Sequence, residues 1–99
     1  MRLGKVLGTV VASQKQGKLD GLKLLIVQDM DHEGRLLEST RIAADVAGAG
    51  VGEVVLCTAG SSSRYTAATH EAPVDDIVVG IVDAIDLGSR RVYDKMLAK

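Results

Sequence analysis

Short runs of β-branched and aliphatic residues, each bounded by glycines or polar turn residues, recur along the chain of 99 residues. Runs of this kind are typical of strands, and glycines inside strands mark the places where a small barrel bends. A serine cluster that can cap a first helical turn follows the fourth run. The pattern predicts strands within 3–13, 22–31, 40–46, 53–59 and 76–86, and a short helix at 60–68. Five short strands favour an all-β architecture, and the OB-like barrel is the natural candidate among five-stranded barrels.

The second of these runs, LKLLIVQDMD at 22–31, is apolar on both faces of the predicted strand. Leu24 and Ile26 alternate with Leu25 and Val27, so neither face is polar. One face can line a core, and the other must be covered by something else. The chain has no Phe or Trp, so the core is aliphatic, and a domain of this size buries only about two-thirds of its unfolded surface. Oligomerisation is a common way to supplement so thin a core.

The charge balance and the cysteine count exclude several classes of protein. Twelve basic and thirteen acidic residues give a formal net charge of −1, which does not draw the chain to nucleic acid or to anionic membranes. No window approaches the roughly 20 apolar residues of a membrane span, and the N-terminus lacks a signal peptide. The single cysteine, Cys57, allows no intrachain disulfide and fits a reducing cytosol. We therefore expect a soluble cytosolic protein.

The glycine-rich segment GAGVGE at 48–53 invites comparison with phosphate-binding loops. A dinucleotide fingerprint needs GxGxxG followed by a helix, and a P-loop needs GK[ST] after its glycines. Here Gly48, Gly50 and Gly52 have the spacing G-x-G-x-G, and a β-rich run follows them. We therefore interpret the segment as a tight strand-to-strand turn with left-handed backbone, and we expect no bound cofactor.

The serine cluster GSSSR at 60–64 invites comparison with serine nucleophiles. Such a nucleophile needs a base within reach, and His32 and His70 are the two histidines of the chain. The second glycine of the GxSxG elbow is absent, so we interpret the cluster as a helix cap and a polar contact surface. We expect Arg64 to pair with a carboxylate from a neighbouring strand or subunit, and we predict no catalytic residue.

Two further features have structural interpretations. His32 lies among Asp29, Asp31 and Glu33, but a hairpin tip does not hold ligands at defined positions, so we predict a solvated turn and no metal site. Cys57 lies in an apolar run with no basic neighbour in sequence, which predicts a buried core residue and not a nucleophile.

Two aspartates fall on the predicted fifth strand. Asp83 and Asp86 lie three residues apart, which places them on opposite faces of a strand and excludes a paired-carboxylate site. Asp83 lies among aliphatic residues, where an unpaired carboxylate is unfavourable. We expect Arg64 or a backbone amide to satisfy it, and a partner on another chain would fix the register between subunits.

Three segments together resemble the EutN/CcmL family, the pentameric vertex proteins of bacterial microcompartment shells. They are MRLGKVLGTVVASQKQGKLDGLKLLIVQDMD, AADVAGAGVGEVVLCTAGSSSR and APVDDIVVGIVDAID. The family patterns GAGxGE, GSSAR and PxDxxVxGIVD fall on Gly48–Glu53, Gly60–Arg64 and Pro73–Asp83. Ser63 stands where alanine is usual, and Val54 stands where many relatives carry Trp.

The resemblance implies an OB-like barrel over 1–86 and a tail at 87–99 that is either an extra strand or a short helix. It implies a cyclic homopentamer that meets hexameric shell proteins at the vertices of a cytoplasmic shell, with no catalytic role, cofactor or metal. Because GSSSR is closer to the GSSAR of catabolic types, we expect a metabolosome in preference to a carboxysome. The candidate subunit contacts are Gly48, Ala49, Gly50, Gly52, Glu53, Gly60, Ser61, Ser62, Arg64 and Asp83.

An OB-type module that binds a small ligand or single-stranded nucleic acid is the alternative. Such modules stack bases on aromatic side chains within basic grooves. Tyr65 and Tyr93 are the only aromatic residues, and the chain is slightly acidic, so both features argue against this alternative.

Overall fold

The computed structural model describes residues 1–11, 23–59 and 75–97. Its strands are β1 (Arg2–Val10), β2 (Lys23–Met30), β3 (Leu36–Asp45), β4 (Val54–Ala59), β5 (Asp76–Ile81), β6 (Ala84–Leu87) and β7 (Arg90–Asp94). The first five close a barrel in the order β1-β2-β3-β5-β4, and β6 and β7 form a separate two-stranded ribbon. The all-β, five-stranded barrel is confirmed, whereas the helix predicted at 60–68 lies outside the described residues. Among the described residues no helix is long and apolar enough to cross a membrane.

The barrel core is aliphatic, as the composition predicts. One buried cluster fills the interior and consists of Val6, Leu25, Val27, Ala43, Ala49, Val55, Cys57 and Val78. A second cluster joins Ala44 and Ile77 to Leu24 and Val79, which alternate with the inward-facing residues of their strands. Strand β2 therefore contributes apolar side chains to both of its faces, as predicted.

The pairing of β2 with β3 contains a wide irregularity near the β2–β3 turn. Gln28 is opposite Thr40 and Met30 is opposite Leu36, so three residues of β3 face Asp29 alone. The side chain of Gln28 donates a hydrogen bond of 2.7 Å to the carbonyl of Leu37, which the bulge displaces from the ladder. β3 therefore begins at Leu36, four residues before the start that the sequence pattern predicts.

The predicted fifth strand at 76–86 is wrong, because it is two strands. β5 ends at Ile81, which pairs with Val55, the second residue of β4. Val82 N–H then donates the last hydrogen bond between the two strands to Val54 O, at 2.8 Å. Beyond this point β4 offers no further partner, so the chain turns and pairs with its own tail. The tail was predicted to be either an extra strand or a short helix, and its described part contains a strand, β7. The domain boundary predicted after residue 86 lies within β6.

Candidate subunit interface

The GAGVGE segment is the turn between β3 and β4. Gly48 has φ of 82° and Gly52 has φ of 90°, in the left-handed region that L residues rarely adopt. Gly52 N–H donates to Val6 O at 2.8 Å, and Val6 N–H donates to Glu53 O at 3.0 Å, so the turn is attached to β1. The predicted left-handed glycines are confirmed, but the connection is longer than a tight turn, because residues 46–53 separate β3 from β4 and the two strands are not neighbours in the barrel.

The carboxylate of Asp45, the last residue of β3, organises the first half of this turn. Its Oδ1 accepts hydrogen bonds from the N–H groups of Ala47 at 2.9 Å and Gly48 at 3.1 Å, and its Oδ2 accepts one from Ala49 N–H at 2.9 Å. Lys23 Nζ lies 3.7 Å from Oδ2 and donates to Ala49 O at 2.7 Å. Successive amides that converge in this way make an anion site, and here the anion is the chain's own side chain. The turn is therefore not a phosphate cradle.

The carboxylate of Glu53 organises the second half of the turn and links it to the ribbon. Its Oε1 accepts a hydrogen bond of 2.6 Å from Gly50 N–H, and its Oε2 lies 2.7 Å from Lys95 Nζ. The hydrogen bond from Lys95, aided by that from Gly50, lowers the pKa of the Glu53 carboxyl below its ordinary value. The same contact raises the pKa of Lys95. Both groups are therefore charged at neutral pH, and they join the turn to the end of β7.

Sequence reasoning missed Asp45, Lys23 and Lys95 as parts of this site. A signal for Asp45 exists, because an aspartate before small residues and glycines, as in DVAGAG, often accepts bonds from the next backbone amides. The two lysines carry no comparable signal, since they are far from the turn in sequence and reach it only through the fold.

The remaining candidates for subunit contact lie either outside the described residues or beside the ribbon. Gly60, Ser61, Ser62 and Arg64 lie outside the described residues, so the expected pairing of Arg64 with a carboxylate stays a prediction. Asp83 lies between β5 and β6 and is exposed, so the expectation that it is enclosed by aliphatic residues is wrong. The cause is the end of β5 at Ile81, which takes Asp83 out of the barrel wall. Its carbonyl accepts a hydrogen bond of 2.9 Å from Lys95 N–H, so it lies beside the ribbon end of the same site.

A second charged cluster lies in one end of the barrel. Asp29, which the sequence places in a solvated turn, is only 8% exposed. Its carboxylate accepts hydrogen bonds from Arg41 Nε at 2.9 Å, Arg41 Nη2 at 2.8 Å and Ser39 Oγ at 2.5 Å. Arg41 Nη1 also lies 3.6 Å from Asp76 Oδ2. The hydrogen bonds from Arg41 are the main cause that lowers the pKa of Asp29.

The acidic residues near His32 are therefore divided between two environments. Asp29 points into the barrel, whereas Asp31 caps the β2–β3 turn by accepting N–H bonds from Glu33 at 2.9 Å and Arg35 at 3.0 Å. No group of three metal-ligating side chains converges among residues 1–11, 23–59 and 75–97. The solvated-turn prediction is wrong for Asp29, because it still belongs to β2 and alternates onto the same face as Leu25 and Val27.

Cys57 is fully buried in the interior cluster, as predicted. Burial is the main cause that raises the pKa of its thiol to about 11, and the charge of Asp76 adds to it. The thiol is therefore neutral at physiological pH and has no access to a substrate.

Several aliphatic side chains on the outside of the barrel remain exposed to solvent. Ile42 on β3, which pairs with Ile26, is 57% exposed, and Leu7 and Val46 are also exposed. Val51, at the tip of the GAGVGE turn, is 65% exposed. The core of this chain is small, and aliphatic side chains left on the surface do not contribute to it. These exposed positions are therefore candidates for contact with another subunit.

Comparisons with known proteins agree with this architecture. The family model described as "Ethanolamine utilisation protein EutN/carboxysome" matches residues 1–83. The carboxysome shell vertex protein CcmL of Synechococcus elongatus is 45% identical over 96% of both chains, and the microcompartment shell vertex protein PduN of Salmonella typhimurium is 43% identical over 86% of this chain and 98% of its own.

Solved structures are similarly close. CcmL of Gloeobacter violaceus superimposes with a TM-score of 0.93 at 42% identity, covering 97% of this chain and 99% of that one. The pentameric microcompartment shell protein GrpN of Rhodospirillum rubrum has a TM-score of 0.80 at 41% identity, with 88% and 99% covered. The chain described here belongs to the EutN/CcmL family.

Proposed function

We propose that this chain is a structural shell protein whose cyclic homopentamers occupy the vertices of a bacterial microcompartment in the cytoplasm. The observation that carries the proposal is the likeness of nearly the whole chain, GAGVGE turn included, to the carboxysome shell vertex protein CcmL. A relative described as pentameric, GrpN, supports the subunit number. A flat layer of hexameric shell proteins needs fivefold positions to close, and a pentamer whose rim meets the hexamers fills them.

A ring requires two different patches on each subunit, which meet around a single axis. The GAGVGE turn suits one of them, because Asp45 and Glu53 hold its backbone in place before any partner arrives, and a preorganised surface loses less entropy on binding. We propose the whole candidate set as contributors to the contact: Gly48, Ala49, Gly50, Gly52, Glu53, Gly60, Ser61, Ser62, Arg64 and Asp83. Exposed aliphatic side chains on the barrel wall suit the other patch, since lasting interfaces are typically apolar.

The proposal includes no catalytic role. The relatives are named as shell vertex proteins, and none of these names denotes an enzyme. His32 is exposed on the β2–β3 turn, and Cys57 is buried and neutral. Within the described part of the chain, the arrangement is that of a scaffold.

The kind of compartment was expected from GSSSR to be a metabolosome. The comparisons do not support this preference, because the carboxysome protein CcmL is at least as similar as PduN and is aligned over more of the chain. We therefore propose closure of a shell without assigning its cargo.

The first experiment is the mass of the purified native assembly, by native mass spectrometry with light scattering as a check. We expect five chains of 10.4 kDa each. Coexpression with hexameric shell proteins should then give closed shells, and omission of this chain should give elongated or open ones. A stable monomer at micromolar concentration would contradict the proposal. Salt-dependent binding of single-stranded DNA by that monomer would support the binding alternative instead.

A further inference from the structure

The described chain ends in an ordered turn at Lys95–Leu97 that presents apolar side chains to solvent. Met96 N–H donates to Asp94 Oδ1 at 3.0 Å, and Leu97 N–H donates to Asp94 O at 3.1 Å. Arg91 Nη1 lies 3.3 Å from Asp94 Oδ2 and so holds the carboxylate that organises the turn. Nevertheless Met96 is 85% exposed and Leu97 is 78% exposed. Large apolar side chains held outward by a hydrogen-bonded turn are poorly placed in a monomer.

This turn lies beside the GAGVGE turn. Lys95 joins the two, because its Nζ lies 2.7 Å from Glu53 Oε2 while its backbone N–H is bound to Asp83 O. Val51 precedes Glu53 by two residues, and Met96 follows Lys95 directly. The ion pair therefore places side by side the two short segments that carry these exposed apolar residues, and we name Val51, Met96 and Leu97 the C-terminal apolar patch.

We propose that the C-terminal apolar patch docks on a neighbouring copy of this chain, and that the Lys95–Glu53 pair is the contact that positions it. The inference rests on the proposed pentamer and names part of its interface. The patch is continuous with the GAGVGE turn, which is itself a proposed contact. The family model's match ends at residue 83, whereas the CcmL relatives align over nearly the whole chain and so include the ribbon. The ribbon that leads into Met96 and Leu97 therefore lies outside the family motifs but in a part of the chain that these relatives share.

A second copy is the occupant that fits the chemistry of the patch. Its charges are already paired, Lys95 with Glu53 and Arg91 with Asp94, so it offers no excess charge to nucleic acid or to a membrane. Another copy offers exposed aliphatic residues on its barrel wall, namely Leu7, Ile42 and Val46. A recess of about 400 Å³ beside Leu97, lined by Tyr93 and Val92 among others, leaves room for a partner side chain.

The test compares assembly of substituted chains over a range of protein concentrations, by native mass spectrometry and sedimentation. We expect Val51→Asp and the double variant Met96→Asp/Leu97→Asp each to raise the concentration for half-assembly at least tenfold. The matched control is Leu36→Asp, because Leu36 is also exposed but lies at the bulged start of β3. Circular dichroism of each variant establishes that the barrel is folded.

The positioning role of Lys95 has its own readout. Lys95→Gln removes the charge, and we expect it to weaken assembly and to speed hydrogen exchange at Gly50 N–H, whereas Lys95→Arg should restore both. Unchanged assembly of both patch variants in a wild-type background that forms pentamers would overturn this inference and leave the proposed function standing. A wild-type chain that remains monomeric would instead overturn the proposed function.

Discussion

The carboxylate of Asp45 offers the sharpest test of how the GAGVGE turn is built. Asp45→Ala removes the acceptor of three backbone N–H groups. Ala49 N–H belongs to a fully buried residue and would be left without a partner, at a penalty of about 1–3 kcal/mol. Gly48 is exposed and Ala47 is half-buried, so water can replace the acceptor there, at about 0.5–1 kcal/mol for each lost bond.

Together these contributions predict a loss of about 2–5 kcal/mol in the free energy of unfolding. The Asp45 side chain is only 1% exposed, so solvent does not screen its hydrogen bonds and the predicted loss is not reduced on that account. For a chain of this size, with a urea dependence of about 1.5 kcal/mol per molar, the midpoint should fall by about 2 M. Asp45→Asn should have a smaller effect, since its amide oxygen still accepts the bonds at one of the two positions.

The assay is urea unfolding followed by circular dichroism, at one fixed protein concentration because oligomers gain stability from mass action. Asp86→Asn is the control, since Asp86 pairs with Arg91 on the exposed ribbon and its loss should leave the midpoint unchanged. A midpoint for Asp45→Ala within 0.3 M of wild type, on the order of 0.5 kcal/mol, would refute the reasoning.

Three further predictions concern other parts of the barrel. Gly52→Ala, at φ of 90°, should destabilise by about 1–2 kcal/mol in the same urea assay, whereas Gly8→Ala, with open space around it and no positive φ, should be nearly neutral. The lowered pKa of Asp29 means that its ion pair with Arg41 stabilises the fold above pH 4 and is lost as the pH falls below the ordinary value of 3.8. An acid titration of Asp29→Asn should therefore show a shallower loss of stability than wild type. With burial raising its pKa to about 11, Cys57 should not react with a thiol reagent at pH 8 until urea unfolds the chain, and rapid labelling of the native protein would contradict its burial.

The strands that the sequence predicts best are those whose residues alternate without interruption. β2 and β4 fall within one residue of their predicted limits, because Leu25, Val27, Val55 and Cys57 all point into the core. The start of β3 was missed, since its first five residues are all exposed, so no alternation of apolar and polar residues marks it. The end of β5 was missed because it depends on the length of β4, which is a property of the partner strand.

The sequence predicts the backbone conformation of the candidate site but not the side chains that hold it in place. The spacing of Gly48 and Gly52 indicates a turn with left-handed residues, and the structure has them there. The groups that fix the turn are less visible, because Lys95 reaches Glu53 only after β6 and β7 fold back along the barrel. Similarly, an arginine such as Arg41 reads as a surface charge on an exposed strand until its carboxylate partners in β2 and β5 are known.

The Asp45 side chain gives the GAGVGE turn a permanently attached ligand. A free anion that entered the three amides would have to displace a carboxylate on the neighbouring residue of the same chain, whose effective concentration exceeds the millimolar values typical of flexible tethers. Cytoplasm contains many phosphate esters, and converging backbone amides in a glycine-rich turn can bind their phosphate groups. Here competition favours the tethered group, so the shape of the turn does not depend on the metabolites around it. A shell component built in this way can assemble identically whatever the compartment encloses.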